Sequence, residues 1–259
     1  MTAAFAVTLT ALGVTGAFVA GLLGVGGALV MIPLLLYVPP LLGVGALDVK
    51  AVSAVTMAQV FVAALSGMTA HRRHKAVDAE LAGVGGVTMA LTSFVGALAS
   101  RWMHDRWLLV VFALMVTGAA VVMLAPAEAL GPPSPPERGY SRLRTVAVTG
   151  GVGLAAGLVG AGGAFLLVPL LLIVVGVPLR TTIGSSLAIT ALAATAGLAG
   201  KLASGQLPPG PTIAVIAGAV PGAWLGAAVS RRLSPERLKR VLFAVIVATA
   251  VRVWWDVLD

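Results

Sequence analysis

The chain has 259 residues, of which 59% are hydrophobic and only 10% charged, with a formal net charge of +8. Soluble domains carry charge on about a quarter of their residues, so the composition excludes an ordinary water-facing surface for most of this chain. There is no Cys, which excludes disulfides, thiolate metal sites and Cys nucleophiles.

Charge is missing in blocks. Residues 1–47 carry none, and neither do 51–70, 81–100, 107–127, 145–179, 181–200 and 202–230. A helix needs about 20 apolar residues to cross the hydrocarbon core, so the pattern predicts an all-α polytopic membrane protein. In chain order the predicted hydrophobic pieces are 3–22, 28–46, 50–70, 79–100 and 107–125. A segment rich in Pro and charge follows at 126–144 and reads as an aqueous linker. The second set is 145–159, 164–178, 181–201, 212–230 and 236–257. The predicted organisation is a membrane repeat at 1–125, a cytoplasmic linker at 126–144 and a second membrane repeat at 145–259, all in one integral membrane domain. The N-terminus is apolar without a basic n-region, so it does not read as a signal peptide. Lys and Arg lie at the ends of the apolar windows, where they set orientation and do not suggest nucleic-acid binding.

The two halves repeat. Gly21-Leu22-Leu23-Gly24-Val25-Gly26-Gly27-Ala28, followed by Pro33-Leu34-Leu35-Leu36, returns 136 residues later as Gly157-Leu158-Val159-Gly160-Ala161-Gly162-Gly163-Ala164, followed by Pro169-Leu170-Leu171-Leu172. A second register, offset by 130, pairs Gly67 with Gly197, Gly96 with Gly226, and Ser100-Arg101 with Ser230-Arg231. The six-residue difference falls in the loop containing Pro39-Pro40. Loop charge then predicts relative orientation. His71-Arg72-Arg73-His74-Lys75 is strongly basic, while its counterpart at 201–209 has one Lys. The next loop reverses this: 101–106 is weakly basic and 230–240 carries five cations. Because Lys and Arg are retained on the cytoplasmic side, equivalent loops are expected on opposite sides. The copies are therefore predicted to be inverted, a recurrent transporter plan, with the linker inside and both termini outside.

Each glycine signature interrupts a hydrophobic stretch. Broken backbone is tolerated at membrane depth only where protein or a wet cavity satisfies its polar groups. Helices restarting at Gly26-Gly27 and Gly162-Gly163 would aim partly positive N-termini and free N–H groups at the break, and such an end suits an anion. The second copy's first two pieces are short for spanning at 1.5 Å per residue, so the first two pieces of each copy are expected to meet near mid-membrane. A competing reading is that Gly at spacings of three or four lets membrane helices pack closely. A dinucleotide-binding reading fails for want of a preceding strand and a following acidic residue, and a phosphate-loop reading for want of Lys-Ser/Thr.

Hydroxyl and amide groups complete the candidate site. The third pieces align Val55-Thr56 with Ser185-Ser186, with Ser53, Gln59 and Thr190 nearby. Ser186 and Thr190 are one turn apart and share a helix face. Such hydroxyls also bond their own helix backbone or a neighbour. The predicted ligand set is Gly26, Gly27, Gly162, Gly163, Thr56, Gln59, Ser185, Ser186 and Thr190, with no catalytic or metal site and no cofactor. All nine acidic residues sit at window ends or in loops. Cation pumps and proton relays use intramembrane carboxylates, so this distribution favours an anionic cargo. Arg252 lies well inside a hydrophobic piece and is expected to snorkel beside Trp254-Trp255. His71 and His74 stand among Arg72, Arg73 and Lys75, a poor setting for a metal.

At the signature the chain resembles the sulfite exporter TauE/SafE family, also called the toluene-sulfonate uptake permease family. The resemblance rests on Gly21/Gly24/Gly26/Gly27 with Pro33-Leu34 and on Gly157/Gly160/Gly162/Gly163 with Pro169-Leu170, and it covers nearly the whole chain. Ser185-Ser186-Leu187 is similar to the family's Thr-Ser-Leu element; copy one departs with Val55-Thr56-Met57, and Ala28 and Ala164 stand where many members have a third Gly. The resemblance implies export or uptake of sulfite, organosulfonates or related sulfur and carboxylate anions across an inner membrane. The expected partners are thus a small anionic substrate and the lipid bilayer, with no nucleic acid. A channel-like permease on the same frame is the alternative, and an intramembrane enzyme a remoter one, since no nucleophile–base pair stands at membrane depth.

Overall fold

The computed structural model describes residues 1–23, 26–71, 78–124, 140–230 and 235–258. The basic stretch 72–75, most of the linker (125–139), residues 231–234 and Gly24 of the first signature lie outside the described residues. The described chain is helical: α1 (Ala3–Leu23), α2 (Ala28–Leu41), α3 (Val49–His71), α4 (Ala79–Ala99), α5 (Asp105–Leu124), α6 (Arg142–Val159), α7 (Ala164–Leu170), α8 (Leu179–Ala203), α9 (Pro209–Ser230) and α10 (Pro235–Leu258). Six helices among the described residues are long and apolar enough to cross a membrane, while 28–41, 49–65 and 164–175 form shorter apolar helices.

Local chemistry explains the boundaries. Asp48 Oδ1 accepts from the Ala51 N–H at 2.9 Å and Asp78 Oδ1 from the Leu81 N–H at 2.8 Å, so carboxylates satisfy orphan donors at the starts of α3 and α4. Ser141 does the same for Arg144 at the head of α6. Pro209 and Pro235 open α9 and α10, where a missing N–H costs nothing. Pro33 sits inside α2 and leaves the Leu29 carbonyl without its usual donor; the Thr249 hydroxyl of α10 donates to that carbonyl at 3.4 Å. After Pro169, α7 widens into a π turn at Leu171–Val175, a common response to a broken hydrogen-bond ladder.

Two long pairings frame the bundle. In the first, α1 lies along α9: a Cβ at Gly218, Gly222 or Gly226 would strike the carbonyl of Thr10, Val14 or Phe18, respectively. In the second, α4 lies along α6, where a Cβ at Gly96 would strike the Leu154 carbonyl and one at Gly157 the Ser93 carbonyl. These are backbone-to-backbone approaches of the kind that small residues permit between membrane helices. Gly21 and Gly157, the first glycines of the two signatures, belong to this group. Close packing, the competing explanation of the signature, therefore accounts for its first position.

Helix directions follow from which ends meet. Arg142 at the head of α6 pairs with Glu80 at the head of α4 at 2.6 Å. The Asp78 N–H donates to Ser185 near the head of α8 at 3.1 Å, while Lys201 near the tail of α8 donates to Ser100, just past the tail of α4, at 2.7 Å. Helices α4, α6 and α8 therefore run the same way. Helix α3 runs against them, since Lys50 at its head donates to the Arg101 carbonyl at 3.0 Å.

Candidate functional site

The site begins at two glycine turns. Gly26 and Gly27 (φ 81° and 75°) separate α1 from α2; Gly160, Gly162 and Gly163 (φ 75°, 62° and 74°) separate α6 from α7. These are left-handed conformations, open to Gly at no steric cost and strained for any residue with a Cβ. The turns approach each other: a Cβ placed on Gly26 would lie 3.3 Å from that of Ala164. At the head of α2, the Val30 and Met31 N–H groups already bond back to the Gly27 carbonyl. The preceding N–H groups, at Ala28 and Leu29, are the ones a helix start leaves without intrahelical partners.

Helix α3 lines both turns. Ser53 donates to the Leu158 carbonyl at 3.3 Å, and a Cβ on Gly160 would collide with the Ser53 carbonyl. Two turns further along α3, the Gln59 amide nitrogen stands 3.0 Å from a Cβ placed on Gly27, and Val60 packs against Gly162. Thr56 shares the face of Ser53 and Val60 by its i, i+3, i+7 spacing and is fully buried. Helix α8 adds Ser185, Ser186 and Thr190, all buried.

The hydrogen-bonding state separates these side chains. Thr56 Oγ1, both amide atoms of Gln59, Thr190 Oγ1 and Ser93 Oγ are buried without a protein partner. Most buried polar groups in native proteins are paired, and an unpaired one costs about 1–3 kcal/mol, so such a set marks a place that a ligand or water completes. Ser53 and Ser185, by contrast, are engaged: Ser53 holds the end of α6 and Ser185 accepts from the head of α4. Ser186 also has a bonding partner. Ser53, Ser185 and Ser186 thus have protein partners, while Thr56, Gln59 and Thr190 carry the unpartnered atoms.

Ser93 was not singled out in the sequence. It stands in the C-terminal third of α4, and a Cβ on Gly197 of α8 would meet its hydroxyl at 2.6 Å. Thr190, seven residues before Gly197, falls on the same face of α8. In the 130-residue register Ser93 pairs with Ala223, so the repeat gave no hint of it. Arg252 proves to be tied down: it pairs with Asp256 and sits 4.2 Å over the Tyr37 ring, while the Trp254 indole donates to Thr117 at 2.9 Å. Among the described residues no cluster of His, Cys, Asp and Glu could hold a metal ion.

Residues 9–253 match the family described as sulfite exporter TauE/SafE. The chain belongs to that family. Among curated relatives it is 33% identical to a "Probable membrane transporter protein" of Xylella fastidiosa strain 9a5c over 96% of this chain and 94% of the relative. It is 31% identical to the protein of the same description in strain Temecula1, with the same coverage. It is also 23% identical to "Probable membrane transporter protein YunE" of Bacillus subtilis, over 93% of this chain and 94% of the relative. No solved structure matches the chain significantly. As a TauE/SafE family member with six membrane-length helices among the described residues, the protein is a multi-pass membrane transporter.

Proposed function

We propose that this transporter moves a small oxyanion, of the class of sulfite, organosulfonates or related carboxylates, by alternating access around the two glycine turns. The observation that carries the proposal is the set of buried, unpartnered polar atoms on Thr56 and Gln59 of α3, the helix that lines those turns, together with those on Ser93 of α4 and Thr190 of α8. Hydroxyls, an amide and unpaired helix-start N–H groups are the donors that bind an oxyanion without a fixed counter-charge. The groups are neutral, so a dehydrated anion can enter and leave again.

The two copies are read as inverted repeats. Exchanging them maps the α1–α9 pair onto α6–α4, and each pair runs parallel. Helix α3 runs opposite to α8, its counterpart, as Lys50 and Lys201 lying at opposite ends of their helices but at the same end of α4 attest. Opposed counterparts are what a two-fold axis in the membrane plane produces, and the loop charges orient the frame with the linker inside the cell. Zero exposure of Thr56, Gln59 and Ser93 favours alternation over a continuously open channel. The direction proposed is export from the cytoplasm across an inner membrane. The test is flux in proteoliposomes across sulfite, sulfate, thiosulfate, sulfoacetate and acetate. Saturable uptake with counterflow and no chemical product is expected; absence of flux for every anion, or product formation, would overturn the proposal.

A further inference from the structure

Lys201 lies in the last turn of α8 and is fully buried. Its ammonium has three donors, and three neutral oxygens receive them: Ser100 Oγ at 2.7 Å, the Leu158 carbonyl at 3.2 Å and Gln206 Oε1 at 3.2 Å. Neither ion pair seen among the described residues involves it. The hydrogen bonds are complete, but the charge is not neutralised. A buried cation at membrane depth is costly and is usually paired with an anion or placed on an ion pathway.

The position of the cluster says which pathway. The Leu158 carbonyl also accepts from Ser53, and Gly160 begins the second glycine turn two residues later. The Lys201 charge is thus fastened to the end of α6 at the edge of the proposed oxyanion site. Towards the adjacent surface stand Lys50, bonded to the Arg101 carbonyl, and Arg101 itself, whose guanidinium lies 5.5 Å over Trp102. The acids at this end among the described residues are Asp48, which is taken up by the Ala51 N–H, Asp105 in the first turn of α5, and Asp256, which pairs with Arg252 near the end of α10, where the Val257 carbonyl accepts from Arg106. An anion coming from this face meets exposed cations first and a buried ammonium next.

We propose that Lys201 is a relay site for the oxyanion on this face, the one at which α4, α6 and α8 end. The ammonium gives up a neutral acceptor, Gln206 or Leu158, and pairs with the anion as it passes between solvent and the glycine turns. This rests on the anion reading above and adds a second, charged station to it. A plain helix cap would also place a cation at the end of α6, and the experiment separates the two roles.

Sulfite flux is measured in oriented proteoliposomes from each face in turn, for the parent, Lys201→Met, Lys201→Arg and Gln206→Leu, alongside the melting temperature and equilibrium sulfite affinity in detergent. The relay predicts that Lys201→Met keeps affinity at the central site within about threefold, raises KM on the Lys201 face at least tenfold, and leaves the other face nearly unchanged, while Lys201→Arg restores most of the loss. Gln206→Leu loosens the ammonium and is expected to lower KM on that face, which keeps the test alive if Lys201→Met does not fold. A pure cap predicts lower melting temperatures with KM unchanged on both faces, and that result, or a Lys201→Met loss equal on both faces, would overturn the relay. A parent that carries no anion at all would instead defeat the proposed substrate class.

Discussion

Replacing Gln59 with Met should move stability and binding in opposite directions. Met keeps the length and unbranched shape of Gln while removing both amide atoms. In this conformation neither atom has a protein partner and the side chain is fully buried. An unsatisfied buried polar group costs about 1–3 kcal/mol; water admitted in the resting state offsets part of that, so a net gain near 1 kcal/mol is the working figure. For a protein of this size such a gain raises the melting temperature by about 2–4 °C. Binding should suffer, because the Gln59 amide stands against the Gly27 turn and would donate to the anion. A hydrogen bond to a charged group is worth about 1.5–3 kcal/mol, which corresponds to roughly a 10- to 150-fold loss of affinity. The assay is thermal unfolding and sulfite binding on the same purified Gln59→Met sample. A variant that melts lower and binds like the parent would show that the amide is a structural strut, and the central argument for the site would fall.

The remaining expectations are separate and smaller. Gly163→Val forces a branched Cβ into a φ of 74° and towards Met89 Cε and Val152 Cγ1, 2.7 and 2.8 Å away, so binding should be lost; Thr56→Ala should cost at most about tenfold in affinity, read by titration of folded protein. Gly26→Ala is strained at a φ of 81° but meets only Ala164 and Val60, at 3.3 and 4.0 Å; it should melt lower yet fold, and the folded protein should bind several-fold more weakly, since the methyl hinders approach to the turn; parent-like affinity would speak against backbone recognition. Gly222→Leu would drive a side chain into the Val14 carbonyl and should lower stability by roughly 2–4 kcal/mol, while whatever folds keeps its affinity. A Cys introduced at Ser134 should react with an impermeant thiol reagent only after permeabilisation, because the parent has no Cys; labelling in intact cells would refute the cytoplasmic linker.

Helix positions were legible because a charge-free window is nearly sufficient to define a membrane helix. The expected piece 79–100 is α4 at Ala79–Ala99, and 50–70 is α3 at Val49–His71. Departures occur where backbone chemistry overrides hydropathy. The piece expected to reach 46 stops at Leu41, since Pro39-Pro40 and the turns at Gly43 and Gly45 cannot carry the helix on. The piece 164–178 narrows to a short α-helix and a π turn that ends at Gly176. The site was half legible. Thr56, Gln59 and Thr190 stood out as polar groups in apolar windows. Lys201 did not, because it borders a polar stretch and reads as a loop cation. Its burial depends on Ser100, 101 residues away in sequence, and on the end of α6. No local pattern encodes such a contact.

The repeat also has consequences through what it does not preserve. In the 130-residue register Gln59 faces Ile189, Thr190 faces Val60, and Ser93 faces Ala223; only Thr56 has a polar counterpart, in Ser186. Among the described residues, Tyr37 also has a buried unpartnered atom; of the other four, three are unique to one copy. Pairing repeats between the copies in α1–α9 and α4–α6, while the polar residues do not repeat. On the proposed inverted arrangement a symmetric frame would suffice for two access states of similar energy, since exchanging the copies would exchange the faces. A symmetric site, however, would bind an oxyanion equally well in two orientations. Gln59 and Ser93 from the first copy and Thr190 from the second have no symmetric polar partners, so on the proposed axis they would fix a single orientation and leave Val60, which packs against Gly162, for the non-ionic part of the cargo. On this reasoning an anion with an organic substituent fits the site better than a bare symmetric one such as sulfate, and the order of affinities across the anion panel decides it.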